Sequence, residues 1–192
     1  MDTKRLLIVV ILVVAAAVLA FVFFRSGEEE NTKQGKAEFA GEKDRPSEHP
    51  LPRKTVTLFF LSEKDSLLHP EEREITEDPS LVHMAMQTIQ ELLKGPQNGL
   101  LSALPYETKL REIFVTKEGT AYVDFSGEIQ DDHISGSSAE IYTIFTIVNS
   151  LTFNFESIKR VFILVEGSEK ETLAGHVDLS RPLLPRFDLV IN

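Results

Sequence analysis

The sequence predicts an α+β protein, in which a small mixed or antiparallel sheet carries two packed amphipathic helices behind one transmembrane helix and a disordered tether. Three observations predict this. Residues 6–24 are apolar throughout, residues 25–54 are largely polar, and strand-like runs then alternate with two stretches of helical periodicity. We therefore expect a cytoplasmic N-terminus at residues 1–5, a membrane helix at 6–24, a flexible linker at 25–54 and one extracytoplasmic domain at 55–192.

The apolar run at 6–24 is long enough to cross a bilayer. As a helix it would measure about 28 Å, close to the ~30 Å hydrocarbon core of a membrane. Lys4 and Arg5 precede it and a run of glutamates at 28–30 follows it, so the positive-inside rule places the N-terminus inside the cell and the domain outside. The alternative is a cleaved signal peptide, but the run continues through Phe24, past the small residues that cleavage requires, which favours an uncleaved anchor.

Composition limits the possible partners and the chemistry. The net charge of −10 disfavours nucleic acid and anionic lipid as partners, although an acidic surface also serves simply to keep an exported domain soluble. The chain has no cysteine, which excludes disulfides, thiolate chemistry and attachment of a lipid to a cysteine. Residues 25–54 contain too few large apolar side chains to form a core, so we expect a solvated spacer there.

The first half of the domain predicts two strands and a helix. Residues 55–61 are rich in β-branched and aromatic side chains and have apolar side chains on both faces, as in a central strand, and residues 67–75 predict a short edge strand limited by Pro70. Asp78 and Pro79 predict the N-cap and first position of a helix that ends at Gly95. Its apolar stripe comprises Leu81, Met84, Ala85, Thr88, Ile89 and Leu92.

The second half predicts a hairpin, a helix and a further strand. Residues 109–116 and 120–125 flank a short glycine-containing connection, and Ser137 or Ser138 can cap a helix that has Glu140 in its first turn. The buried stripe predicted for this helix is Ile141, Ile144, Phe145, Val148 and Thr152. Residues 160–165 predict a strand that is apolar on both faces. The tail at 187–191 predicts either one more strand or a cover for a sheet face.

Several of these segments together resemble the GerMN domain, named after the sporulation and germination protein GerM. The matching residues are the Thr57-Leu-Phe-Phe strand, the Glu71-Glu-Arg-Glu-Ile75 turn, Leu92-Leu-Lys-Gly-Pro96, Leu104-Pro105, Tyr122-Val-Asp-Phe-Ser126, Asn149-Ser-Leu-Thr152 and Val165-Glu-Gly167. Each motif is short, but their order and spacing cover most of residues 55–180. The resemblance implies a small α+β module outside the cytoplasmic membrane, similar to ring-building modules of export assemblies, with a role related to sporulation or germination.

The sequence contains one polar cluster that could support chemistry. Asp131, Asp132 and His133 are consecutive, and Asp124 ends a predicted strand. A carboxylate beside a histidine can orient an imidazole or help to bind a metal, but adjacent polar residues in a loop are far more often simply solvated. The histidines lack zinc-ligand spacing, and no serine lies in a nucleophile elbow. We therefore predict no catalytic residue, no cofactor and no metal.

The sequence is compatible with two classes of function. The first is a non-catalytic interaction or scaffolding module of the cell envelope, which would associate with itself or with another envelope protein. Its predicted contact surface is Phe59, Leu61, Phe162 and Leu164, or the opposite face of the same strands, unless the tail residues Leu183, Leu184, Phe187, Leu189 and Ile191 cover it. The second is an envelope hydrolase or glycan-binding protein that uses an Asp/His cleft, with peptidoglycan as a possible partner. Converging carboxylates in a concave pocket would distinguish the second class.

Overall fold

The computed structural model describes residues 51–133 and 136–191. The predicted membrane helix at 6–24 and the linker up to residue 50 lie outside the described residues. Within the described ranges, no helix combines the length and the apolar character that a membrane span requires.

The domain contains six strands and three α-helices in the described residues. The strands are β1 (Arg53–Leu61), β2 (Leu68–Thr76), β3 (Leu110–Val115), β4 (Thr120–Phe125), β5 (Arg160–Val165) and β6 (Ser168–Glu169). The helices are α1 (Leu81–Leu93), α2 (Glu128–Asp131) and α3 (Ser137–Asn154), and a 3₁₀ turn lies at Phe187–Leu189. The α+β class is confirmed, and the short helix α2 occupies part of what the sequence predicted to be a polar loop.

The strands form two sheets, so the expectation of a single sheet is wrong. One sheet is the antiparallel pair β1–β2, and the other has the order β3-β4-β5-β6, with β4 and β5 parallel. The free edge of β1 is occupied by polar side chains of α3 instead of by a strand. Ser150 Oγ accepts from the backbone N–H of Phe59 at 3.1 Å, and Thr146 Oγ1 donates to the Phe59 carbonyl. These side chains satisfy the backbone of Phe59, and Leu61 at the end of β1 exchanges both of its backbone hydrogen bonds with Leu101, so no further strand is needed there.

Helix α3 lies at the centre of the core and packs against β1, β5 and α1. Every residue from Thr143 to Leu151 is buried, which is broader than the single stripe predicted from the sequence. Phe145 and Val148 belong to the core, as predicted, whereas Ile141 and Thr152 are only half-buried. The buried residues of α3 include small polar side chains as well as apolar ones. The polar ones are needed because the helix lies against the edge of β1, whose backbone N–H and carbonyl groups require hydrogen-bond partners.

Local signals at helix and strand ends differ in detail from the expectations. Ser80, not Asp78, is the N-cap of α1, and its side chain accepts from the N–H of His83. Helix α3 begins at Ser137 after Gly136 and has no side-chain cap. In the β3–β4 turn, Gly119 has a φ of +82°, and an added Cβ would lie 2.8 Å from the carbonyl oxygen of Ser157. Both the backbone conformation and this close approach require glycine.

Candidate interaction surface and buried polar clusters

The outer face of the four-stranded sheet carries a row of apolar side chains. Residues 121, 123 and 125 of β4 point into the core, so Tyr122 points outward, opposite Phe114 on β3 and Phe162 on β5. The ring centroids lie 6.5 Å apart for Phe114 and Tyr122, and 5.2 Å apart for Tyr122 and Phe162. Leu164 follows on the same face. We call Phe114, Tyr122, Phe162 and Leu164 the aromatic face.

Exposure is uneven across the aromatic face. Phe114 keeps 60% of its surface exposed, whereas Phe162 keeps only 5%. Tyr122 and Leu164 are half-buried. Phe114 was not among the predicted surface residues, because the alternation of β3 alone does not say which of its faces is covered. The exposed phenyl ring therefore lies at one end of a packed aromatic row.

The other two predicted surface residues lie elsewhere. Phe59 and Leu61 belong to β1 in the two-stranded sheet, so the four predicted side chains do not share one sheet face. Phe59 is buried, and its ring centroid lies 5.4 Å from that of Phe153 and 6.4 Å from that of Phe187. The C-terminal tail thus covers Phe59 through the ring of Phe187. Phe187 itself remains 43% exposed.

The predicted polar cluster is divided among separate contacts. Asp124 Oδ1 accepts from the N–H of Gly167 at 2.8 Å, and Asp124 Oδ2 lies 3.4 Å from Arg111 Nη1. Asp131 and Asp132 are exposed at the end of α2. His133 Nε2 lies 3.0 Å from Thr143 Oγ1 on α3. No hydrogen bond or ion pair of the described residues joins Asp124 to this Asp/His run.

The structure describes no metal-binding arrangement in residues 51–133 and 136–191. No group of three or more histidine, aspartate or glutamate side chains in these ranges is placed to hold an ion. Arg111 lies between two carboxylates, since the nitrogen that approaches Asp124 is also 3.1 Å from Glu166. Asp124 and Glu166, near the ends of β4 and β5, are thereby linked through one guanidinium group. Glu166 in turn accepts from the N–H of Gly127 at 2.9 Å. These contacts fix the connections that follow β4 and β5.

Comparison with known proteins identifies the family. The model of the Germane family, described as sporulation and spore germination, matches residues 57–171, which is more than half of the 192 residues. The chain belongs to the Germane family. The resemblance to GerMN domains noted in the sequence is thereby confirmed, while no curated protein matches the chain.

Solved structures extend the likeness to the fold. A candidate lipoprotein from Clostridium perfringens is 27% identical with a TM-score of 0.50, covering 73% of this chain and 94% of that one. The first GerMN domain of the sporulation protein GerM from Bacillus subtilis is 24% identical with a TM-score of 0.55, covering 70% of this chain and 99% of that domain. The tandem GerMN domains of the same protein are 21% identical with a TM-score of 0.54 over 71% of this chain. The chain spans 48% of that tandem structure, as expected for a single domain.

One of the motifs behind the resemblance is a buried ion pair in this Germane domain. The residues Glu71 to Ile75 form part of β2, so the edge strand predicted at 67–75 is confirmed, whereas the turn named in the resemblance is wrong. Glu71 and Arg73 pair with each other, and both are more than nine-tenths buried. Glu71 accepts from the N–H groups of Gln97 and Asn98 at 3.1 and 3.2 Å, while Arg73 Nη2 donates to the Gly95 carbonyl at 3.0 Å. The Lys-Gly-Pro loop is therefore held by the Glu-x-Arg motif of β2.

A second buried carboxylate, Glu140, holds the C-terminal segment. It is fully buried in the first turn of α3 and accepts from the N–H groups of Leu173, Ala174 and His176 at 2.7–2.9 Å. Burial alone would raise the pKa of Glu140, but these backbone hydrogen bonds outweigh it and hold the pKa below its ordinary value. The sequence predicted only a helix-dipole role for this residue.

Both buried glutamates were missed because their partners are backbone N–H groups. Every residue except proline carries such a group, so no residue pattern marks the partner segment. The one available signal was that Glu71 and Glu140 fall on the inward side of their elements, where a carboxylate without hydrogen-bond donors is costly to bury. A charged residue at such a position predicts a set of donors nearby, without saying which they are.

Proposed function

We propose that this Germane-family protein is an interaction module of the cell envelope that acts through association and not through catalysis. The observation that carries the proposal is the exposed ring of Phe114 at the end of the aromatic face. Aromatic side chains exposed on a rigid sheet are favourable contact residues, because they bury much area at low entropic cost. The proposed occupant of this face is a second copy of the domain.

Three further points support association between copies. GerM from Bacillus subtilis contains two GerMN domains in tandem, so two copies of this fold occur side by side in a relative. The polar residues that a hydrolase would need are engaged in separate contacts, since Asp124 binds Gly167 while His133 binds Thr143. The linker that the sequence predicts at 25–54 would, if it is as polar and extended as its composition suggests, allow neighbouring copies to meet above the membrane.

The proposed location is the outer side of the cytoplasmic membrane. The apolar segment at 6–24 and its flanking charges support a single-pass anchor with the domain outside. The Clostridium perfringens protein described as a candidate lipoprotein would reach a comparable location through a lipid. Because the present chain has no cysteine, the apolar segment would take the place of that lipid. A role in sporulation or germination is proposed from the family alone.

The experiment is a mass measurement on the fragment 51–192 over a range of concentrations by light scattering. We expect the wild-type fragment to exceed the monomer mass as concentration rises and Phe114→Ser to remain monomeric. Tyr106→Ser is the matched control, because Tyr106 is 93% exposed but lies outside the aromatic face, and it should behave as wild type. A monomeric wild type at every concentration would refute self-association. Glycan turnover that disappears in an Asp131→Ala, His133→Ala double variant would favour the hydrolase instead.

A further inference from the structure

The loop that follows α1 is attached to the rest of the fold at two points. The carboxylate of Glu71 accepts from the backbone N–H groups of Gln97 and Asn98 at 3.1 and 3.2 Å. Leu101 exchanges two backbone hydrogen bonds with Leu61 at the end of β1, at 2.8 and 3.1 Å. Two residues lie between these attachments, so this stretch has little freedom to change its length.

Asn98 and Gly99 carry the two groups of a reaction that needs no enzyme. The backbone nitrogen that follows an asparagine can attack the side-chain amide carbon and close a five-membered ring, and a side chain on the following residue obstructs the attack. Gly99 has no side chain, and an added Cβ would meet nothing within 4 Å. Both residues are exposed. In the ranges 51–133 and 136–191, no hydrogen bond uses the Gly99 N–H or the Asn98 side-chain amide.

The other two asparagines of these ranges, Asn149 and Asn154, lie in α3 and are held in place. The side-chain amide of each makes two hydrogen bonds to one distant residue. The N–H of Phe155, which would attack Asn154, donates to the Leu151 carbonyl at 3.2 Å. A reaction at either helical asparagine must first break such hydrogen bonds. Asn98 differs from both, because its amide and the nitrogen that follows it are both free to react.

We propose that Asn98 deamidates spontaneously in the folded protein and that one product loosens the contact between this loop and β1. The Gly99 nitrogen loses its proton to water or hydroxide and forms a bond to Asn98 Cγ, while the bond from Cγ to the amide nitrogen breaks and ammonia leaves. Water then opens the resulting succinimide at one of its two carbonyls, which gives aspartate or isoaspartate. The net exchange of an amide for a carboxylic acid raises the mass by about 1 Da.

Isoaspartate alters the backbone as well as the charge. Its main chain passes through Cβ and Cγ of residue 98, which adds one carbon atom, or about 1.5 Å, between the two attachments. The attachment at Glu71 is part of a buried ion pair with Arg73 and is costly to move. The attachment at Leu101 lies at a strand end, and Leu101 is 40% exposed. The hydrogen bonds between Leu101 and Leu61 are therefore the ones that the extra atom weakens.

The test follows the full-length protein in detergent micelles over time, in native buffer and in urea. Trypsin cleaves after Lys94 and Lys109 and releases a peptide in which Asn98 is the only asparagine, whereas Asn149 and Asn154 share another peptide. We expect Asn98 to gain mass at similar rates in both solutions. The two helical asparagines should convert roughly tenfold or more slowly in native buffer than in urea, because two hydrogen bonds must break first.

Asn98→Gln is the control variant, because glutamine keeps the amide but would have to close a less favourable six-membered ring. Its tryptic peptide should keep its mass over the same period. An Asn98 that the folded state protects as strongly as Asn154 would overturn the proposed site. A mass gain that persists in Asn98→Gln would do so as well.

A second measurement tests the effect on the loop. Ion exchange separates converted from unconverted protein by the added negative charge, and NMR then follows the exchange of amide hydrogens. In the isoaspartate form the N–H groups of Leu61 and Leu101 should exchange roughly tenfold faster, as expected when local hydrogen bonds weaken. Asn98→Asp adds the same charge without lengthening the backbone and should exchange as the wild type does. Equal exchange rates in the isoaspartate form and in Asn98→Asp would overturn the proposed loosening.

Discussion

The side-chain amide of Asn154 makes both hydrogen bonds that a neighbouring strand would make to Thr57. Its Oδ1 accepts from the Thr57 N–H at 2.8 Å, and its Nδ2 donates to the Thr57 carbonyl at 2.6 Å. One and two helical turns earlier, Ser150 and Thr146 satisfy the backbone of Phe59. Helix α3 thus takes the place of a third strand beside β1.

The fragment 51–192 is expected to fold without the rest of the chain. Its core cluster extends from Val56 to Leu179 and includes both sheets and all three helices. We expect cooperative unfolding in urea, followed by circular dichroism at 222 nm and by tyrosine fluorescence with coincident transitions. Non-coincident or non-cooperative transitions would contradict the folding of this fragment as one cooperative unit.

Asn154→Ala should destabilise this fragment by about 1–3 kcal/mol, because the N–H and carbonyl of Thr57 lose their partner at a half-buried edge. The measurement is the free energy of unfolding in urea. Thr152→Ala is the control, since the Thr152 hydroxyl donates only to carbonyls of its own helix, and it should change stability by less than about 0.5 kcal/mol. Equal effects of the two substitutions would contradict the strand-like role of Asn154.

Phe145→Ala should cost roughly 3–5 kcal/mol, because the Phe145 side chain is only 6% exposed within the core. The same urea titration measures it. Phe114→Ala removes an equally large ring that is 60% exposed and should cost much less. A loss below about 1 kcal/mol for Phe145→Ala would place the wrong face of α3 in the core.

Glu140→Gln should destabilise the fragment by roughly 1.5–3 kcal/mol at pH 7, because one amide oxygen replaces a carboxylate that accepts three N–H groups. The pKa of Glu140 is lower in the folded state than its ordinary value of 4.5, so the stabilisation is present above that value and is lost as the pH falls through the folded-state pKa. Wild type and variant should therefore converge in stability on acidification.

The control for this pH dependence is Glu156→Gln, at an exposed position. It should remain within about 0.5 kcal/mol of wild type throughout the pH range. Free energies of unfolding measured from pH 7 downward give both curves. A gap between wild type and Glu140→Gln that stays constant with pH would show that the carboxylate charge is not what binds the C-terminal segment.

The predicted membrane topology can be tested on the whole chain. A cysteine introduced at Ser47 would be the only thiol in the protein, because the sequence contains no other. In intact cells or spheroplasts it should react with a membrane-impermeant thiol reagent, since residues after 25 are expected outside. A mature N-terminus near Ala20 would refute the anchor, and a Ser47→Cys chain that reacts only after lysis would refute the orientation.

Local pattern was sufficient to predict most of the elements of this fold. The alternation of β4 gave its core face, and the spacing of Ile144 and Val148 gave the position of α3. Local pattern could not predict that β1 belongs to a separate two-stranded sheet. That result depends on Ser150 and Asn154 reaching a strand more than 90 residues earlier, and a polar residue on a helix carries no signal for so distant a partner.

The candidate sites were less predictable than the fold, for a related reason. Phe162 and Leu164 were correctly placed on a common strand face, but whether that face is open depends on the C-terminal tail, which covers Phe59 instead. A pocket beside His133 is lined by residues of a strand, a loop and a helix that are far apart in the sequence, so no local pattern predicts it. The run Asp131 to His133 drew attention in the sequence because the residues are adjacent, yet only His133 turns towards α3.

Among residues 51–133 and 136–191, Asn154 is one of three side-chain amides that hydrogen-bond both the N–H and the carbonyl of a single distant residue, the others being Gln87 with Thr76 and Asn149 with Arg186. Each contact needs a donor and an acceptor on the same small group. Hydrolytic deamidation would replace the donor with a second oxygen, which would then face a carbonyl oxygen and repel it. Deamidation at any one of these three positions would therefore weaken one contact between elements and leave the other two in place.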